Sequence, residues 1–454
     1  MRMHEMPRNL NEYLNVELEC DCGRTHYAPI KAVRIGAGVL NELPEITERF
    51  GYRRAFIVCD SITYKIAGQR CEQLMQEKGI HAVSHIIIHQ GFDETTLGEL
   101  LINMPRDSDL IIAVGTGSIS DMVRYMSYKV KLPCFTVATA APMDGFAASV
   151  GILNVNNLKA TMPAQNTEVI IGDTDILEAA PYRMTIAGFG DLIGKLSCLN
   201  DWTISHTING EHYCEKIAAL VKDCVEKVLS DHELIEHRDP QALGRIMNGL
   251  VLSGTAISLY GNSRPASGAE HHMSHYWEIL GEQRGKPYAM HGEQVAVGTV
   301  LALMVNEELC KMEIDFQTAR EHAKKYDAVA WKKEVQRVYG NASEAIIELE
   351  ANAGKNDPAG CLQRIDVIEE HWEEIKAQMS KLYPSCALRI LLKNLGCPCD
   401  PKDVGIDREI LKDTFMYCKE TRARYTVYQL AWDLGVLEEV ADRVIGQLET
   451  LRAI

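Results

Sequence analysis

The chain has 454 residues, of which 46% are hydrophobic and 24% charged, and a formal net charge of −16. That is the composition of a globular protein with apolar material for two or three domains. So acidic a balance excludes a broad phosphate-neutralising face for nucleic acid, while leaving room for a local basic pocket. The opening run MRMHEMPRNLNEYLNVE lacks the apolar core of a signal peptide, and no stretch reaches the roughly 20 apolar residues of a membrane span. Neither membrane nor nucleic acid is expected as a partner, and the expected location is cytoplasmic.

In chain order, KAVRIGAG reads as a strand entering a glycine turn, and RRAFIVCD (53–60) as a buried strand ending in an acid. SITYKIAGQRCEQLMQEKG reads as a helix closed by Gly79. HAVSHIIIH, SDLIIAVGTGS, LPCFTVAT (132–139) and TEVIIGD (167–173) supply further strands. Strands alternating with helices predict an α/β domain with a doubly wound, mostly parallel sheet over 1–176. From 177 to 454 helical periodicity takes over, through segments such as EKIAALVKDCVEKVLSDHELI, LGRIMNGLVLSGTAISLYG and EQVAVGTVLALMVNEELC. This predicts an all-helical domain. A small-molecule site is expected in a cleft between the domains.

LIIAVGTGSISDMVRYM runs strand, Gly-Thr-Gly-Ser, helix. Gly115 and Gly117 allow a tight turn and close backbone approach, Ser118 is placed to cap the helix, and a helix N-terminus attracts an anion such as a dinucleotide pyrophosphate. Such turns are also common as plain connections, and the full G-x-G-x-x-G fingerprint is absent. Asp60, at a strand's carboxyl end, is placed either to accept from a ribose diol or to serve as a turn residue.

SGAEHHMSHYWE (267–278) opens with Ser267 and Glu270 in S-x-x-E capping spacing, so a helix starts there. His271 and His275 then share one helical face. MHGEQVAVGT puts His291 before another helical run, and GFGDLIGK puts Asp191 at an expected helix start. One carboxylate and two imidazoles can bind a divalent ion with positions left open. Each also has an ordinary explanation, as a capping acid or a packed histidine. The 14 cysteines lie mostly in apolar segments, suggesting thiols in a reducing compartment. Cys20 and Cys22 in CDCGRTH, and Cys397 and Cys399 in CPC, are each one residue apart. Zinc sites usually space paired cysteines by two to four residues, so both pairs read as ordinary thiols.

Taken together, GTGSISD, TAAPMDGFAAS, DTDIL, GFGDLIGK, SGAEHHMSH, HGEQVAVG and RARYT, with CDCGRTH near the start, resemble one family. They are similar to the sn-glycerol-1-phosphate dehydrogenases, and most to the bacterial branch. That branch lies within the superfamily of iron-containing alcohol dehydrogenases and dehydroquinate synthase-like enzymes. The resemblance implies that Asp191, His271 and His291 bind a divalent metal (nickel, zinc or iron) and that these three with His275 are catalytic. It implies that Asp144, Asp191 and His275 meet the substrate. NAD or NADP would lie against Asp60, Gly115, Thr116, Gly117, Ser118, Ile119, Thr139, Ala140, Ala141, Pro142 and Ser149. The implied reaction interconverts dihydroxyacetone phosphate and sn-glycerol 1-phosphate, and a homo-oligomer, most simply a dimer, is implied with it.

Two departures border the cofactor site. TAAPMDG stands where the family commonly has TAPSMDG, and Ala148 then Ser149 stand where it has a serine four residues after the aspartate. Lys195, Lys159, Arg422 and Arg424 are candidates for a substrate-phosphate pocket. Without such a pocket a glycerol or other polyol dehydrogenase is the alternative. A dehydroquinate synthase-like cyclase would usually carry Glu at the position of Asp191, and a non-enzymatic relative would not need the intact trio.

Overall fold

The computed structural model describes residues 10–155, 158–286 and 289–453. Residues 1–9 of the opening run, and Pro287 and Tyr288 of GKPYAMHGE, lie outside them, as does the side chain of Lys159. The chain forms two compact units: one of residues up to 192 with 215–263, the other of 193–214 with 264–454.

In the α/β unit, each of the six apolar runs supplies one strand: β1 (Ala32–Gly36), β2 (Arg54–Cys59), β3 (His81–Ile86), β4 (Leu110–Gly115), β5 (Cys134–Ala138) and β6 (Val169–Asp173). They pair in parallel in the order β1-β6-β5-β4-β2-β3. β4, β5 and β6 are buried over their whole length. Parallel strands are covered on both faces, so their sequences are almost continuously apolar and do not alternate. The chain runs from β2 outward to the edge strand β3, then returns to the other side of β2 as β4. That reversal leaves a crevice at the carboxyl ends of β2 and β4, where open α/β sheets bind ligands. An antiparallel hairpin, Val150–Val155 with Leu158–Pro163, follows β5 and was not read from the sequence.

The helices Glu215–Ser230 and Pro240–Tyr260 group with the sheet, although the pattern changes at 176/177. Met247 explains this: a Cβ on Gly172 of β6 would stand 2.8 Å from Met247 Cγ, so the long helix packs directly on the sheet. The Pro240–Tyr260 helix also corrects the reading that no segment could span a membrane. At 21 residues and a mean hydropathy of 1.2 it is long and apolar enough. However, 72% of that window is buried within the fold, as expected of a core helix.

The second unit is helical. Ala269–Gln283 and His291–Lys311 are its central pair. A Cβ on Gly298 would stand 2.7 Å from the Glu270 carbonyl oxygen, so only glycine lets the two backbones approach this closely.

Candidate active site

At the carboxyl end of the sheet, β2 is followed by Asp60, β4 by Thr116–Ile119 and β5 by Thr139–Pro142. These three strands are neighbours, with Val58 opposite Ala113 and Gly115 opposite Ala138. The sheet therefore brings almost all the expected dinucleotide contacts to one edge. Asp60 Oδ1 accepts the Ile62 and Thr63 N–H groups at 2.9 and 2.7 Å, so it also caps the following helix. The Gly117–Val130 helix begins one residue before Ser118, and Thr116 holds the cap position without a side-chain cap bond. Ser118 is thus inside the first turn and does not cap it as expected. Gly115 is needed for packing, because a Cβ there would meet Ile119 Cδ1 at 2.6 Å. Ser149 lies further along, between the Ala148 and Val150 carbonyls that both accept from Arg124.

The loop from Thr139 to Ala147 is clamped between two helices. A Cβ on Gly188 would stand 1.9 Å from the Ala141 carbonyl oxygen, and one on Gly254 would stand 2.6 Å from that of Asp144. Asp191 lies in the last turn of the Tyr182–Ile193 helix, not at a helix start. The expectation failed because Asp191 follows Gly190, which suggested a helix start, whereas Gly190 lies inside the helix. A carboxylate near a helix C-terminus gains nothing from the macrodipole, so capping does not explain Asp191. It is fully buried, and its Oδ2 accepts the Asp144 N–H at 2.8 Å. Asp144 Oδ2 in turn accepts the Ser253 hydroxyl at 2.7 Å.

In the helical unit, His271, His275 and His291 converge, with ring centroids 5.2–6.0 Å apart. Their side chains are 6%, 16% and 26% exposed in that order, so the cluster opens from a buried imidazole toward an accessible one. The expected capping box is only half present: Glu270 Oε1 accepts the Gly268 N–H at 2.8 Å, but Gly268, not Ser267, holds the cap position. The same Oε1 lies 2.7 Å from His271 Nδ1, and Glu278 Oε1 lies 3.0 Å from His291 Nδ1. Each carboxylate fixes the Nδ1–H tautomer and leaves the lone pair on Nε2, the arrangement that usually supports a metal-binding histidine. Glu270 and Glu278 in this role were missed in the sequence. The signal was their spacing from the histidines; the capping pattern had absorbed Glu270, and Glu278 had been given no role. A divalent ion fits this donor chemistry of oriented imidazoles with buried carboxylate support. Burial, then Arg422, press His275 down to about 3, so it is neutral near pH 7.

Cations gather beside these histidines. Burial, then Arg264 and Arg422, lower Arg424 to about 10, and burial lowers Arg422. His272, fully buried, is pushed well down by burial, Lys355 and Arg424. Lys195 is also fully buried, not the solvated surface lysine its type suggests.

A family model described as iron-containing alcohol dehydrogenase matches residues 34–181. Among solved structures, a probable glycerol dehydrogenase from Sinorhizobium meliloti 1021 aligns with a TM-score of 0.62 at 15% identity, over 94% of this chain and 99% of that one. The glycerol dehydrogenase of Schizosaccharomyces pombe aligns with a TM-score of 0.58 at 15% identity, over 92% and 91%. The fold is that of the iron-containing alcohol dehydrogenases.

Sequence relatives narrow the class. A glycerol-1-phosphate dehydrogenase, NAD(P)+, of Halalkalibacterium halodurans is 35% identical over 67% of this chain and 78% of its own length. One from Geobacillus stearothermophilus is 29% identical over 95% and 100%. The chain belongs to the glycerol-1-phosphate dehydrogenase family.

Proposed function

We propose that this protein is a metal-dependent NAD(P)H oxidoreductase interconverting dihydroxyacetone phosphate and sn-glycerol 1-phosphate. The observation that carries the reading is the histidine cluster with two of its Nδ1 atoms held by Glu270 and Glu278, in a chain whose relatives carry that name. In this reading Asp191, His271 and His291 hold one divalent ion of nickel, zinc or iron, and the turns after β2, β4 and β5 hold the dinucleotide. When bound, the nicotinamide supplies the hydride and the ion supplies Lewis acidity for the developing alkoxide.

The chain's own groups do the rest. Asp144, fixed through Ser253, accepts a substrate hydroxyl. His275, neutral near pH 7, offers one N–H and one lone pair and relays the proton. Arg422 and Arg424 are partly desolvated cations beside the cluster, and they bind the phosphate. Cytoplasmic residence and a homodimer belong to the same proposal on family resemblance; light scattering on a sizing column tests the dimer.

The deciding experiment is an initial-rate comparison of dihydroxyacetone phosphate with dihydroxyacetone, using NADH and NADPH and each metal in turn. A charge-assisted phosphate contact contributes about 1.5–3 kcal/mol, or roughly ten-fold to over a hundred-fold. The phosphorylated ketone should win in kcat/KM by at least that range. Equal values would reject the phosphate pocket and favour a glycerol dehydrogenase. No turnover of either, with metal and cofactor bound, would favour the cyclase chemistry.

A further inference from the structure

The two cysteine pairs set aside by their spacing do not behave alike. Cys397 and Cys399 lie within the helical unit, and burial pushes both thiols up, which disfavours thiolates. Cys20 and Cys22 sit instead at the tip of a small hairpin, where Leu18 pairs with His26 and Glu19 with Thr25. Its turn is closed by the Gly23 N–H donating to the Cys20 carbonyl at 3.0 Å and by the Cys20 N–H donating to the Arg24 carbonyl at 3.1 Å. Gly23 takes φ +84°, which glycine adopts without strain. The turn curls the chain so that two cysteines one residue apart face the same side. Their sulfur atoms and a ring nitrogen of His26 lie within 4.8 Å of one another.

His26 identifies the chemistry. It is 1% exposed, and its Nδ1 stands 2.9 Å from the Leu259 carbonyl oxygen. A carbonyl only accepts, so Nδ1 carries the proton and Nε2 presents its lone pair. That Nε2 lies 3.3 Å from Cys22 Sγ. A buried imidazole whose Nδ1–H is held by a backbone carbonyl, with its other nitrogen among thiols, has the outer support of a metal ligand. The hairpin is also tied to the start of the Glu215–Ser230 helix, because Asp21 pairs with Lys216 at 2.7 Å. Two residues before Lys216 stands Cys214, fully buried.

We propose that Cys20, Cys22, His26 and Cys214 form a structural zinc site, separate from the proposed catalytic metal. Three thiolates and one neutral imidazole make a closed tetrahedral set suited to zinc, with no position left for substrate. The thiols lose their protons to solvent as the ion binds. The spacing argument failed because it was drawn from turns that hold the metal between two cysteines and nothing else. Here the hairpin brings in His26 from its second strand. The site's task is to fasten the N-terminal hairpin to the helices Glu215–Ser230 and Pro240–Tyr260 of its own unit.

The test uses the full chain carrying His271→Ala, which weakens the proposed catalytic site, with zinc as the probe. After dialysis against a mild chelator, one zinc per chain should remain. X-ray absorption at the zinc edge should show three sulfur neighbours and one nitrogen. The cobalt-substituted protein should show thiolate-to-cobalt charge transfer. Adding Cys22→Ser or Cys214→Ser should abolish the bound zinc and lower the melting temperature, whereas Cys386→Ser, at an exposed cysteine, should do neither. The absorption measurement needs no cysteine variant, so it stands even if those variants fail to fold. No retained zinc, or a shell of nitrogen and oxygen only, would overturn the site while leaving the proposed dehydrogenase untouched.

Discussion

In the α/β unit, the groups at the carboxyl end of the sheet are mostly backbone turns, with the carboxylates of Asp144 and Asp191 beside them. The turns are shaped by Gly115, Gly188 and Gly254, each pressed against atoms that a Cβ would strike at 1.9–2.6 Å. The helical unit is marked instead by ionisable side chains buried against one another: His271 on Glu270, His291 on Glu278, and, as an ion-pair cluster, Lys355 and Lys419 on Glu420. The first unit suits a ligand bound through main-chain donors and close approach, such as a pyrophosphate. The second suits an ion and a charged substrate. The difference teaches that chemistry written in glycines fails sterically, whereas chemistry written in buried charges fails electrostatically. Variants can tell the two apart.

The largest effect is expected from His271→Ala. Lewis-acid stabilisation contributes several kcal/mol, so kcat/KM should fall by about a thousand-fold or more, with bound catalytic metal lost. If the two units keep separate tasks, the dissociation constant for NADH should stay unchanged. Normal turnover with a full complement of metal would remove His271 from the site.

Next comes Glu420→Gln. Burial alone would raise Glu420, but Lys419 and Lys355 bring it down to about 2 from the usual 4.5. A depressed carboxylate contributes stability above its unfolded value and loses it as the pH falls toward its folded one. Removing one partner of a buried pair costs about 3–5 kcal/mol, so the variant should melt well below the parent at pH 7. Below pH 4.5 the gap should close progressively, because the protonated parent comes to resemble the variant. A gap that stays constant on acidification would show that the cluster's charge does not hold the helices.

Much of the α/β unit was legible because parallel strands must be apolar on both faces, and six such runs gave six strands. Periodicity also placed His271 and His275 on one helix. It was blind where the same residue type serves two ends. Glu270 satisfied a capping pattern and concealed its contact with His271. The glycines of GFGD misplaced the helix start because the pattern cannot show that a neighbouring backbone lies against Gly188. The hairpin at Val150–Pro163 escaped because its pairing is fixed by partners across a turn.

Gly188→Ala tests the steric side. Its Cβ would stand 1.9 Å from the Ala141 carbonyl oxygen, a backbone atom with no rotamer to yield. Overpacking of this kind typically costs about 1–3 kcal/mol. The melting temperature should drop, and NADH should bind more weakly as the Thr139–Pro142 turn shifts. Because Gly188 lies one turn before Asp191 in the same helix, metal should also bind more weakly. Unchanged stability would mean that helix and loop separate at little cost.

Gly117→Ala should have the smallest effect, and it separates a turn kept for folding from one kept for a ligand. Here the added Cβ would meet Met143 Cε at 2.9 Å, the far end of a flexible side chain that can move aside. The backbone at Gly117 needs no left-handed conformation, since its φ is not among the positive ones. Alanine is also a better helix former than glycine at the start of the Gly117–Val130 helix. Stability should therefore change little. A dinucleotide whose pyrophosphate rests on this helix N-terminus approaches the backbone itself, and one methyl group there should displace it. The dissociation constant for NADH should rise by about ten-fold, equivalent to about 1.4 kcal/mol. Metal content and the melting temperature should remain those of the parent. An unchanged dissociation constant would make the Gly115–Ser118 segment a plain connection, and the dinucleotide would then have to be sought along Asp60 and Thr139–Pro142 alone.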